Sequence, residues 1–191
     1  MTLYAIAVFL HVVGALGLFA GIALEQTSLA NLRLATTTAQ VRPWVALLGG
    51  LRRVDGPSGL VILATGLYMV ATRWGHQAWI GLALLGMVLM AVLSVALTGR
   101  RANAIKKIVP AEDGPIPAPL RSRLNDPVLQ TSASLRAALG LGIVFNMTVK
   151  PATAGAIGAM GVALALGAAV AAVRWMGSRR AMPASRREAR V

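Results

Sequence analysis

The chain has 191 residues, 57% of them hydrophobic and 13% charged, with a mean hydropathy of +0.69. A soluble domain carries about a quarter charged residues, so these values exclude an ordinary water-soluble globule and point to a membrane protein. The absence of cysteine excludes disulfides and thiolate metal or iron–sulfur sites, and the net charge of +13 is no nucleic-acid signature, because the basic residues bracket apolar runs and form no single face.

Residues 3–24 form the first expected span. The run is roughly 33 Å long as a helix, enough to cross the hydrocarbon of a bilayer. No Lys or Arg precedes it and it is longer than a signal-peptide core, so it reads as a permanent helix. Its one side chain that titrates near neutral pH is His11. Gly14, Gly17 and Gly21 recur at helical spacing, with Gly17 and Gly21 in a GxxxG pattern. His11 lies on that small-residue stripe and should face other helices, where intramembrane polar groups nearly always point. Glu25 falls about 40° from the same stripe and should also face the bundle.

Residues 25–58 contain Glu25, Arg33, Arg42, Arg52, Arg53 and Asp55, and no apolar run long enough to span. Residues 28–39 are expected to continue the first helix beyond the membrane, and residues 43–51, with Trp44, to lead back along the interface. Asp55-Gly56-Pro57-Ser58 reads as a helix start, with Asp55 as cap and Pro57 in the first turn. The second span is then 57–74, ending in the interfacial set Tyr68, Arg73 and Trp74. A short turn containing His76 leads to a third span, 78–98, opening on Trp79.

The third helix is expected to continue to about Ile108, followed by an irregular proline-rich loop. The fourth span, 134–150, is short in its apolar core and becomes adequate when Arg136 and Lys150 snorkel. Pro151 ends it. The fifth span, 154–176, is rich in alanine and carries Gly155, Gly158 and Gly161 at spacing three. Residues 177–191 form a basic tail, expected to be disordered.

With five spans, all of the 19 Lys and Arg residues except Arg73 and Lys150 fall on one side of the membrane. The positive-inside rule then puts the N-terminus outside and the C-terminus in the cytoplasm. The fold class is thus all-α, a polytopic membrane bundle of about five helices in one domain.

Three constellations could carry chemistry. His11 and His76 fall toward the outer leaflet, and neutral imidazole ligates haem iron or copper; the structural alternative is a hydrogen bond from His11 to a neighbouring helix and an interfacial role for His76. Glu25, Arg52, Arg53 and Asp55 form a polar cluster at the cytoplasmic boundary, suited to an anionic headgroup, a substrate or a proton route, or to ordinary boundary ion pairing. Asn146 and Thr148 can hydrogen-bond across helices. Lys106, Lys107 and the arginine tail set topology and meet anionic lipid headgroups. No nucleophile–base pair, phosphate loop or paired carboxylate is visible.

The run FLHVVGALGLFAGI, then arginines, then DGPSGLVILATGLYMV, a short turn and Trp79-Ile80 resembles a family of small bacterial integral membrane proteins of uncharacterised function. These are similar in turn to the copper-resistance D membrane domain and to HemJ-type protoporphyrinogen oxidase. The resemblance covers about residues 5–98. It implies the inner (cytoplasmic) membrane of a bacterium, and a haem b or copper ligand at His11. Ile80 and Gly81 stand where the oxidase carries a lysine, so its activity is not implied. The expected function is an accessory or transport-linked membrane bundle. The alternatives are a haem- or copper-binding redox protein using His11, and a subunit of a larger complex joined through glycine-rich helix faces, as a homo- or hetero-oligomer.

Overall fold

In a computed structural model of the chain, residues 2–180 are described, the last four of them as backbone only. The described residues form α1 (Leu3–Leu34), α2 (Thr38–Met69), α3 (Ala78–Val92), α4 (Arg100–Ile108), α5 (Ala118–Leu124), α6 (Pro127–Val149) and α7 (Thr153–Arg180). Two π-wound segments, Val70–Trp74 and Leu93–Gly99, extend α2 and join α3 to α4. Five of the resulting rods are long and apolar enough to cross a membrane: Leu3–Leu34, Thr38–Trp74, Ala78–Ile108, Ala118–Val149 and Thr153–Met176. The protein is a polytopic membrane helical bundle.

Helices α1 and α2 pack as an antiparallel pair along the small-residue stripe. Gly14 faces Ile62 and Ser58, Gly17 faces the Ser58 side chain, and Gly21 faces the Asp55 carboxylate. Side chains on α1 at these positions would collide with α2, so the stripe is spent inside the chain and not on a partner. On α7, by contrast, Gly158 and Gly161 meet nothing within 4 Å. Helix α6 runs through the centre of the bundle, packed on α1, α3 and α7.

The stretch between the first two spans differs from the sequence expectation. Helix α1 ends at Leu34, and α2 begins at Thr38, capped by Thr37 Oγ1, which accepts a hydrogen bond from Gln40 N at 3.4 Å. It then runs straight through Pro43 and Pro57. Asp55-Gly56-Pro57-Ser58 is therefore helix interior and not a helix start. An interior proline costs about 3 kcal/mol. The compensation is packing: Val41, Val45 and Leu51 are buried on α2, and the first two join a core with Leu29, Leu32, Ile105, Leu120, Leu124 and Leu129. That core draws on α1, α2, α4, α5 and α6 and forms a cap at the end of the bundle where Glu25 lies.

The proline-rich loop after α4 is irregular, as its composition suggests, but it is tied to the cap. Thr38 Oγ1 donates to the Glu112 carbonyl at 2.7 Å, Thr38 N donates to the Gly114 carbonyl at 3.0 Å, and Arg42 pairs with Asp113. Arg121 Nη2 donates to the Ala35 carbonyl at 2.8 Å.

Helix α6 starts at Pro127 with Asp126 as its cap, one turn and more ahead of the expected residue 134. Arg136 does not snorkel; it is 4% exposed. The tail expected over 177–191 is helical as far as Arg180, the end of α7, and its remainder lies outside the described residues.

Candidate functional site

At the level where the bundle meets the cap, α1 delivers Glu25, α6 delivers Arg136 and α2 delivers Asp55. Glu25 is 4% exposed and forms a salt bridge with Arg136 across 111 residues of sequence. An isolated charge in such a place is very costly, and the pair exists because each ion neutralises the other. A linear network continues from the guanidinium. Arg136 Nη2 donates to Thr98 Oγ1 at 3.4 Å, Thr98 lies 3.0 Å from Ser132 Oγ, and Ser132 Oγ donates to the Leu93 carbonyl at 3.1 Å. Ser132 gives its hydrogen to Leu93, so Thr98 must donate to Ser132. The π-wound segment bounded by Leu93 and Gly99 loosens the ordinary i→i−4 ladder, and this local winding sets both Thr98 and the Leu93 carbonyl toward α6.

Asp55 completes the centre. Its carboxylate is pressed onto Gly21 of α1, where a Cβ would overlap it, and it lies within electrostatic reach of Glu25 and Arg136. Two polar atoms here are buried without a hydrogen-bond partner: Asp55 Oδ1 and Arg136 Nε. Buried polar groups are nearly always satisfied, so an unpartnered carboxylate oxygen on Asp55 and an unpartnered guanidinium nitrogen on Arg136 in one centre mark a place built for more than one arrangement.

Of the polar cluster expected from sequence, Glu25 and Asp55 come together, while Arg52 and Arg53 do not join them. Both arginines are exposed, and the Arg52 guanidinium packs against Gly99. The missing member was Arg136, with Thr98 and Ser132 behind it. Arg136 stands at the start of the apolar part of the fourth span, and no local pattern marks it as the partner of Glu25.

His11 faces α2. Its Nδ1 lies 3.0 Å from Thr65 Oγ1, and its Cε1 lies against Gly66. Thr65 donates its own hydrogen to the Val61 carbonyl at 2.6 Å, so Nδ1 carries the imidazole proton and Nε2 keeps its lone pair. His76 is exposed in the turn after Gly75, which takes φ 58°. Gly66 and Trp74 are eight residues apart, about 12 Å of helical rise, and His76 lies beyond Trp74. The two histidines are thus on different levels and do not meet at one metal. Among the described residues there is no group of three or more His, Asp or Glu side chains able to hold a metal ion.

That turn carries a different constellation. Trp74 and Trp79 meet edge to face at 5.6 Å, Trp74 Nε1 donates to Tyr4 OH at 3.1 Å, Arg73 stacks on Tyr4 at 4.7 Å, and Lys150 Nζ lies 4.1 Å from the Trp74 ring. These are amphipathic anchors of the kind that fix a helix end at a membrane interface. Asn146 is fully buried and its Nδ2 reaches the Ala156 carbonyl of α7 at 3.5 Å, whereas Thr148 turns back to its own helix.

Comparison of the chain with known protein families, with curated proteins and with solved structures finds no match.

Proposed function

We propose that this multi-pass protein is a transport-linked bundle whose centre, Glu25, Asp55 and Arg136, takes up and releases a proton. The observation that carries the reading is the buried, unpartnered Oδ1 of Asp55 beside a pair that already neutralises itself. Two carboxylates compete for one guanidinium. With Arg136 on Glu25, Asp55 is the carboxylate left without a counter-ion; with Arg136 swung to Asp55, Glu25 would be left so in turn. Intramembrane ionisable groups in such an arrangement serve ion and proton pathways. The orientation follows from the positive-inside rule: the cap, with Arg33, Arg52, Arg53, Lys106 and Lys107, faces the cytoplasm, and the Trp74–Trp79 turn faces outward, in the inner membrane of a bacterium.

The test is infrared spectroscopy of the purified full-length chain. A protonated carboxylic acid gives a C=O band that titrates with pH, and Asp55→Asn should remove or displace it. An unchanged band in Asp55→Asn, with no carboxyl band lost in Glu25→Gln, would overturn the reading. Reporter fusions at the C-terminus test the orientation, and an external C-terminus would reverse it.

A second reading, a haem- or copper-binding redox protein, has the resemblance and one observation in its favour. The Thr65 contact fixes His11 with Nε2 free, as second-shell partners of ligating histidines do. A purified preparation that is colourless and metal-free, and unchanged on adding haem or copper, removes it. Membership of a larger complex would use the open Gly158–Gly161 face of α7, since the α1 stripe is occupied by α2.

A further inference from the structure

A groove of about 570 Å³ runs between α6 and α7 on the surface of the bundle. Its floor and walls are small side chains, among them Ala137, Ala138, Gly142, Ala159, Ala163 and Gly167. Such a surface leaves a channel that the helices cannot fill themselves. One end of the groove is polar: Gln26, Ser134 and Arg174 line it there. Arg174 Nη1 donates to Gln26 Oε1 at 2.7 Å and to Ser134 Oγ at 3.4 Å. These two contacts hold the guanidinium at the mouth. None of the salt bridges among the described residues includes Arg174.

We propose that this groove binds one acyl chain of an anionic phospholipid, with the lipid phosphate on Arg174. Three features point to this occupant. The polar mouth stands at the level of Gln26, next to Glu25, where the bundle leaves the hydrocarbon, which is headgroup depth. From Ser134 to Phe145 the groove follows α6 for about 16 Å, and half the thickness of a bilayer core is about 15 Å, so one leaflet's chain matches its depth. A planar guanidinium with free N–H groups takes a phosphate by paired hydrogen bonds, and a net positive mouth favours an anionic headgroup over a zwitterionic one. The inference is independent of any proton uptake at Asp55.

The experiment uses the full chain, delipidated in mild detergent and titrated with phosphatidylglycerol or with phosphatidylcholine of identical chains, with bound lipid counted by native mass spectrometry. The expected result is one tightly bound phosphatidylglycerol per chain and at least tenfold weaker phosphatidylcholine. Arg174→Gln should bring the two lipids to equal affinity, and Ala159→Leu, which fills the groove, should weaken both. Because the chain has no cysteine, a single thiol gives a second readout that does not depend on either variant folding. A fluorophore on Val162→Cys, within the groove, should be quenched by a spin-labelled phosphatidylglycerol chain at stoichiometric lipid. One on Val173→Cys, exposed outside it, should not. Equal binding of both lipids by the unaltered chain, equal quenching at the two thiols, or a dimer that shields Val162 from lipid would each overturn the proposal.

Discussion

Leu16, midway along α1, is 66% exposed, whereas Leu32, near the end of the same helix, is 1% exposed. The two residues lie in regions stabilised by different physics. In the spans, large apolar side chains such as Leu16, Leu67, Leu85 and Leu141 point outward, and glycine, alanine and serine make the close helix contacts beside a smaller set of buried apolar residues, among them Ile22, Met90, Leu139 and Met160. Lipid is as apolar as leucine, so burying a leucine there gains little, and close backbone approach gains more. In the cap, leucine, isoleucine and valine from five helices bury one another as they do in a water-soluble domain. One helix therefore obeys two rules along its length, and the change occurs at Glu25. The contrast teaches that the ionic centre stands at a boundary between media, roofed by a dry core and floored by lipid-solvated helices. That position excludes water from charges that would otherwise be hydrated.

The largest effect should come from the boundary itself. Arg136→Met leaves Glu25 buried and unpaired and is expected to destabilise the protein by about 3–5 kcal/mol, read as a fall in thermal midpoint in detergent by tryptophan fluorescence. Adding Glu25→Leu removes the orphaned charge and should recover most of the loss; a double variant no better than the single would show that the pair is not the source.

The contrast between regions is tested next. Leu32→Ala and Leu120→Ala should each cost about 2–5 kcal/mol, while Leu16→Ala and Leu67→Ala should stay within about 0.5 kcal/mol. Equal costs in both sets would break the division. Within the spans, Gly21→Ala drives a methyl into the Asp55 carboxylate and is expected to cost about 1–3 kcal/mol. Gly59→Ala meets nothing within 4 Å and should be neutral or stabilising by up to about 1 kcal/mol through helix propensity. The smallest effect belongs to Thr65→Val, which removes the His11 contact; interhelical hydrogen bonds in membranes average about 0.6 kcal/mol, and a double-mutant cycle with His11→Ala isolates the pair.

The five apolar rods, and the stripe of Gly14, Gly17 and Gly21 with His11 beside it, were legible because each is a local periodic pattern. The start of α2 was not. Locally, Pro43 opens a stretch along the interface and Pro57 a first helical turn, and what overrides both readings is burial of Val41 and Val45 against residues from α4, α5 and α6, information that no window of sequence contains. Arg136 was misread for the same reason: whether a basic residue at a helix end reaches for water or for a carboxylate depends on a helix far away in the chain. The π winding over Leu93–Gly99 has no visible signal in its residues, yet it aims Thr98 and the Leu93 carbonyl at Ser132.

The 111-residue separation of Glu25 from Arg136 has a consequence for how the protein is made. Ribosomes add about 5–20 residues per second, so the acid is incorporated roughly 6–22 seconds before its counter-ion exists. During that interval the first helix carries a bare or protonated carboxyl with no mate. Biogenesis must therefore hold the first hairpin at the edge of the insertion machinery, or against water, until the fourth rod arrives. A chain truncated before Arg136 should be retained there and degraded instead of accumulating in the bilayer.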